Sequence, residues 1–276
     1  MSIARTCTPR WLAFAFASLF SISAHADDTH YQDFVVGGRA VGLGGAFTAI
    51  ANDPSGVFYN PAGIADVEET NLQVSASLYG FERGGLGDRV AVPVPGVEDL
   101  DIEFTELIVV PSSAGFVSNL DEKLPNGQNR HSYGVSVVVP SFRSFAANES
   151  DGSATYRRRV TDRELWTGAG YAYRLSPRLS VGASVYYILR TVTDAEGLTS
   201  NEELTTASDR FQTVSNDITL TNGNLVFIAG AKYAVTPNLT LGLSLRAPSV
   251  ALHSDGNLFF EQAESDPSSA ELDSNF

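Results

Sequence analysis

Glu164-Leu-Trp-Thr-Gly-Ala-Gly-Tyr-Ala-Tyr-Arg-Leu-Ser-Pro-Arg-Leu-Ser-Val-Gly-Ala-Ser-Val-Tyr-Tyr-Ile-Leu-Arg-Thr-Val-Thr193 reads as two long β-arms joined by a tight turn. Successive strand side chains point to opposite faces, so alternate positions decide what each face meets. Leu165, Thr167, Ala169, Tyr171 and Tyr173, then Val181, Ala183, Val185 and Tyr187, make one face apolar with tyrosines. Gly168, Gly170 and Ala172, then Ser180, Gly182, Ser184 and Tyr186, make the other mostly small and polar. The turn Leu175-Ser-Pro-Arg178 suits proline, which pre-sets the turn backbone and cannot donate to a ladder.

The stretch Leu225–Leu252 repeats this design around Thr236-Pro-Asn238. Leu225, Phe227, Ala229, Ala231 and Tyr233, then Leu239, Leu241, Leu243 and Leu245, form its apolar face. Asn224, Val226, Ile228, Gly230 and Lys232, then Thr240, Gly242, Ser244 and Arg246, form the mixed one. An apolar face of this kind either packs on a second sheet, as in a soluble exported β-sandwich, or faces lipid, as in a membrane barrel. Arms of about ten residues are what a tilted strand needs to cross a bilayer. Short turns alternating with the long polar stretches Asn148–Thr155 and Ala195–Asp217 match the periplasmic and outer ends of such a barrel. The expected fold class is therefore all-β, an antiparallel transmembrane β-barrel. Asn71–Arg83, Ile102–Ser118 and Ser132–Phe145 are further strands, bringing the count to about seven, with Asn257–Gln262 offering an eighth. Glu261–Asn275 reads as an acidic, loop-like end.

Upstream, Arg5 and Arg10, the apolar run Trp11–Ile22 and the small-residue site Ala24-His-Ala26 read as a secretory signal over residues 1–26. It holds Cys7, the single cysteine, so the exported part is expected to carry neither disulfide nor thiolate metal site. Loss of Arg5 and Arg10 takes the formal net charge from −14 to about −16, which disfavours a nucleic-acid partner. Residues 27–70 include Gly37–Ala65, rich in glycine and alanine, with helix-like spacing of Val41, Ala46, Phe47, Ile50 and Ala51. A compact helical plug ahead of barrel strands over 71–276 follows from that order.

No catalytic set is visible. His25, His30, His131 and His253 are scattered, and Gly115-Phe-Val-Ser118 lacks the nucleophile elbow. The glycines at 37, 38, 42, 44 and 45 match neither phosphate-loop template, so they are read as close-packing positions, and no cofactor or metal is expected. The acidic runs Glu98–Glu103 and Glu261–Asp273 are either solvated loops or cation bridges to lipopolysaccharide; neither has calcium-loop spacing. Arg157-Arg158-Arg159, the one basic run, either meets anionic headgroups at the rim or lines the barrel interior. Pro140 interrupts Tyr133-Gly-Val-Ser-Val-Val-Val139 with a residue that cannot join a central ladder. It either borders a lateral exit in the wall or marks the strand's end.

Gly38-Arg39-Ala40, the Gly42–Phe47 run, Asp53 and Asn60-Pro61-Ala62 together resemble the FadL-type outer-membrane transporters of long-chain fatty acids and other hydrophobic compounds. Asn222–Gly230, the turn at Thr236 and Leu243–His253 resemble that family's mid-barrel hairpin and the strand after it. The resemblance covers the exported chain but only about half of a typical member. It implies a fourteen-stranded barrel closed by an N-terminal hatch, in the outer membrane of a Gram-negative bacterium. Hydrophobic ligand would pass to a lumenal site and leave sideways, with no covalent chemistry. Asn60, Pro61, Ala62, Gly44 and Gly45 would then serve hatch gating, and Pro140 the exit. Arg246 and Lys232 are the inward cations for a ligand carboxylate. The partners are a hydrophobic small molecule, outer-membrane lipid and lipopolysaccharide, with the protein a monomer. The alternative class is a structural or surface-interaction barrel without transport. Eight strands make an interior filled by their own side chains, so a hatch of about forty residues needs a wider barrel. Either C-terminal strands are missing or the hatch packs elsewhere; the first is the expectation.

Overall fold

The computed structural model describes residues 34–90, 100–150, 154–202, 210–265 and 272–275. The signal over 1–26 and the terminal Phe276 lie outside them, as do Glu98 and Asp99 of the first acidic run and part of the run ending at Asp273. Residues 34–67 form short helical pieces: α1 (Gly38–Gly42), α2 (Gly56–Tyr59) and a 3-10 helix (Pro61–Asp66). Strands follow: β1 (Asn71–Val90), β2 (Leu100–Asn119), β3 (His131–Val138), β4 (Phe142–Ser150), β5 (Ala154–Ser176), β6 (Leu179–Glu202), β7 (Arg210–Thr236), β8 (Leu239–Arg246), β9 (Val250–Ser265) and β10 (Leu272–Asn275).

All pairings are antiparallel, in one open sheet ordered β1-β2-β3-β5-β6-β7-β9-β10, with β4 on β5 and β8 on β7. A single sheet displaces the sandwich alternative. β3 and β4 both lie along β5 and form one interrupted wall strand; β8 and β9 do the same along β7. Asn257–Gln262 thus continues the seventh wall strand rather than starting an eighth, and Leu272–Asn275 is strand where loop was expected.

The two faces fall where alternation put them. Tyr133, Val135, Tyr171, Val185, Phe227, Leu241, Leu243 and Leu245 are exposed on one side, while Ser136, Trp166, Ala172, Ser180, Ser184, Tyr186 and Val226 are buried on the other. What buries the second face is the helical segment. Gly38 lies against Ser75 of β1, Pro54 against Gly115 of β2, and Val57 against Gly134 of β3 and Gly170 of β5. Pro61 lies against Gly182 of β6, Asn60 against Gly230 of β7, and Ala49 against Gly242 of β8. These strands are neighbours, and laid flat they would spread over about 29 Å at the usual interstrand spacing. One short segment touches them all because the sheet curls around it.

The long polar stretch Ala195–Asp217 differs from expectation. β6 and β7 stay paired through Glu202↔Arg210, so most of it is ladder. Its inward face carries a small cluster in which Leu198 packs on Ala147 and Tyr156, while its outward positions, such as Thr199 bonded to Thr213, are polar or small, so the apolar outer face that marks a strand within lipid is missing.

Candidate functional site at a break in the wall

Pro140 sits where the third wall strand changes partner. On its lower side β3 pairs with both β2 and β5, ending at Ser113↔Val138 and Val138↔Trp166. Beyond it β4 pairs with β5 from Phe142↔Arg163 onward, and no ladder joins β4 to β2 among the described residues. Proline has no N–H to give, and the neighbouring Ser141 carbonyl accepts from Glu164 N–H of β5 at 3.1 Å. The Pro140 carbonyl accepts from Phe34 N–H at 3.1 Å, which ties the start of the helical segment to the break. A similar interruption at Ala247-Pro-Ser249 separates β8 from β9, and the alternation of Leu239–Leu245 gave no warning of it.

Immediately inside the break lies an aromatic cluster. Phe58 from α2 meets Trp166 of β5 edge-on at 5.5 Å between centroids and Tyr186 of β6 at 6.1 Å; Tyr59 lies 5.3 Å from Phe58 on the same terms. Trp166 and Tyr186 have no exposed surface. Their polar atoms are satisfied: Trp166 Nε1 donates to Glu164 Oε2 at 3.1 Å, and the Tyr186 hydroxyl pairs with Ser136 Oγ at 2.5 Å. The Arg246 guanidinium stacks over Phe58 at 4.8 Å and Trp166 at 5.0 Å. Such stacking offsets part of the cost of removing a cation from water. Arg190, held by Asp162 at 2.8 Å, approaches Glu164 at 3.8 Å. The result is a closed aromatic cluster with charged groups at its edge.

Asn60-Pro61-Ala62 sits lower, docked on the wall. Asn60 is fully buried and leaves the helical backbone with φ −159°. Its amide donates to Thr48 O at 2.8 Å and Ala231 O at 3.1 Å, and its carbonyl accepts from Ala62 N–H at 3.1 Å. Proline follows at the first helical position, where its missing donor costs nothing. Ser180 Oγ donates to Ala62 O at 3.0 Å and Ser184 Oγ to Val57 O at 2.9 Å, so wall serines satisfy helix-end carbonyls. Gly182 and Gly230 make the approach possible: a Cβ on Gly182 would lie 2.5 Å from Pro61 C, and one on Gly230 2.1 Å from Asn60 Oδ1. Gly44 and Gly45 lie elsewhere, in a turn after α1 with φ of 61° and 84°, and nothing comes within 4 Å of a Cβ built on Gly44.

At the end near the short turns, Asp66 closes the 3-10 helix and binds two wall cations. Arg174 reaches Asp66 at 2.5 Å and Ala65 O at 2.5 Å, and the Lys232 ammonium lies on the other carboxylate oxygen. Burial opposes ionisation of Asp66, but the hydrogen bonds and charges of Lys232 and Arg174 outweigh it and hold the carboxyl below its ordinary 3.8. Lys232 is therefore engaged with the end of the helical segment, whereas Arg246 stacks on Phe58 and Trp166. Sequence reading missed Asp66 and Arg174 because their pairing spans 108 residues with no local signature.

A curled antiparallel sheet with an apolar outer face and an inner helical plug is the arrangement to compare with known proteins. Residues 17–270 match the family described as outer membrane protein transport protein (OMPP1/FadL/TodX). The chain belongs to that family. Among solved structures, a FadL homologue of Pseudomonas aeruginosa is similar, with a TM-score of 0.56 and 17% sequence identity. The match covers 80% of this chain and 53% of that one, so the chain spans about half the length of the solved relative. At that identity the likeness shows the fold. No curated protein matches.

Proposed function

We propose that this chain carries the hatch and exit side of an outer-membrane transporter that passes hydrophobic small molecules, long-chain fatty acids among them, without covalent chemistry. The observation that carries the reading is the conjunction at Pro140: the wall loses its β2-side ladder where an aromatic cluster stands behind it. Phe58, Trp166 and Tyr186 are packed shut, so an apolar chain would reach them only when the helical segment and the Arg246 guanidinium that covers Phe58 and Trp166 move aside, and Arg246 would then take its carboxylate. Lateral exit between β2 and β4 would release it into lipid without crossing the periplasm. Gating is assigned to the segment around Gly44 and Gly45, while Asn60, Pro61 and Ala62 form its fixed base and Lys232 with Asp66 its latch. The protein works as a monomer in the outer membrane of a Gram-negative bacterium. Membership of an outer-membrane transport family and the apolar outer face support this placement.

The test is uptake of a labelled long-chain fatty acid by cells producing the protein or its Pro140→Val variant, in which the strand regains a donor. Uptake is expected to fall about tenfold, with fatty-acid binding by the purified variant unchanged. Undiminished uptake by Pro140→Val would refute the exit. Absence of binding by the wild-type chain would favour the alternative of a structural barrel.

A further inference from the structure

The basic run Arg157-Arg158-Arg159 does two different jobs, because alternate strand residues face opposite ways. Arg158 turns inward and forms a two-pronged pair with Asp194, Nε to Oδ1 at 3.1 Å and Nη2 to Oδ2 at 2.9 Å. Arg157 and Arg159 turn outward and are exposed, and so is Arg163 on the same face of β5. Arg157 Nε donates to Asn148 Oδ1 at 3.1 Å, which fixes its direction along the outer surface. Neither Arg159 nor Arg163 has a carboxylate partner among the described residues. The flanking outward positions on β4 and β6 are small or neutral: Ser144, Ala146, Asn148, Thr193, Ala195 and Gly197. Together they leave a shallow dent of about 540 Å³ around Arg157 and Arg159, bounded towards β7 by Asp217.

The height of these arginines is set by the strand that carries them. The outward side chains from Leu165 to Leu175 form the apolar crossing on β5, a length that matches the ~9–11 residues a tilted strand spends in the bilayer core. Arg163 is the first outward residue beyond it on the side away from the short Ser176–Leu179 turn. Arg159 and Arg157 follow, the last about 20 Å further along the strand at ~3.3 Å per residue. Below Arg163 on the same outer face is a second dent, of about 640 Å³ and almost wholly apolar, between Leu72, Phe116, Val135, Ala169, Val185 and Tyr187. Its edge at Thr167 lies about 13 Å along the strand from Arg163, roughly the distance from a lipid headgroup into its acyl chains. A formal charge of −14 makes this basic column run against the protein's average.

We propose that the outer face of β4–β6 binds one molecule of lipopolysaccharide, a glycolipid of the outer leaflet whose sugar headgroup carries several phosphates. An acyl chain fills the apolar dent, Arg163 meets the innermost phosphate, and Arg159 with Arg157 meets phosphate further out. Arginine suits the role because its planar fork can give two parallel bonds to one phosphate. A glycerophospholipid offers the same acyl chains but a single phosphate close to the apolar boundary, so it would use Arg163 and leave the outer pair idle. The site lies on the lipid side of the wall, and its occupancy is independent of whether the lumen takes fatty acid.

The experiment titrates the full chain, folded in detergent micelles, with phosphorylated lipopolysaccharide, enzymatically dephosphorylated lipopolysaccharide and phosphatidylglycerol. Native mass spectrometry reads the bound fraction. The wild type is expected to bind the phosphorylated glycolipid at least tenfold tighter than either of the others. A variant combining Arg157→Gln, Arg159→Gln and Arg163→Gln is expected to lose that preference while keeping heat-modifiable gel mobility. Arg163→Gln alone is expected to weaken phosphatidylglycerol and lipopolysaccharide alike. Equal affinity of wild type for the three lipids, or an unchanged preference in a folded triple variant, overturns the proposal. Should the triple variant fail to fold, the comparison of lipids on the wild type decides.

Discussion

Replacing Gly230 by alanine inserts one methyl group where the hatch meets the wall. Its Cβ would stand 2.1 Å from Asn60 Oδ1, 3.0 Å from Ala62 N and 3.0 Å from Pro61 Cδ. The wall strand is held on both sides, by β6 and by β8, so Asn60 is the group that must move. Moving it breaks three hydrogen bonds, to Thr48 O, Ala231 O and Ala62 N. At about 0.5–1.5 kcal/mol net for each, the hatch loses about 2–4 kcal/mol of docking free energy. With tenfold per 1.4 kcal/mol, amide exchange at Ala62 and Gly63 should quicken by about 30- to 700-fold. Hydrogen exchange read by mass spectrometry on the folded protein measures this directly, with β5 and β6 amides as the internal reference. Gly42→Ala is the control, since nothing lies within 4 Å of a Cβ there. Protection at Ala62 within threefold of wild type in Gly230→Ala would refute the claim that Asn60 anchors the hatch.

Asp66 gives the pH dependence of the same contact. Its carboxyl titrates lower when folded, so its contribution is present above the ordinary 3.8 and is lost as pH falls below that value through the folded one. Exchange protection of residues 62–67, corrected for intrinsic rates, should be flat from neutral pH to about 5 and collapse below 4; Asp66→Asn should show the collapsed level throughout. Tyr156, on the outer extension of β5, has its phenol pushed up to about 12, first by burial and then by its hydrogen bond to Glu196 at 2.8 Å. A raised value means stability present below the ordinary 10.0 and lost as pH rises towards 12, so alkaline unfolding should begin later in Tyr156→Phe than in wild type, as circular dichroism would record.

The alternation of Glu164–Thr193 was enough to sort inward from outward residues, because lipid on one side and a packed plug on the other impose opposite demands on adjacent positions. That pattern fails beyond Arg190, where the outward positions are polar or small, and Ala195–Asp217 therefore looked like loop although it is largely strand. Pro140 was legible as an interruption from its missing donor alone. Pro248 was masked by the regular leucines before it. The aromatic cluster was half visible: Tyr186 stood on the inward face by parity, whereas nothing local to Phe58 announces that it meets Trp166 more than a hundred residues later. The Asp66 latch joins three distant segments, and such pairing is set by how the sheet curls rather than by any motif.

The central claim is that an apolar ligand rests on Phe58 and Trp166 and leaves past Pro140. Photolabelling with a long-chain fatty acid bearing a diazirine near its tail tests it most directly, with adducts mapped by peptide mass spectrometry. Adducts concentrated on the peptides holding Phe58, Trp166 and Pro140–Phe142, and displaced by excess unlabelled fatty acid, are the predicted result. Labelling confined to the outward leucines Leu241, Leu243 and Leu245, undiminished by competitor, would contradict it.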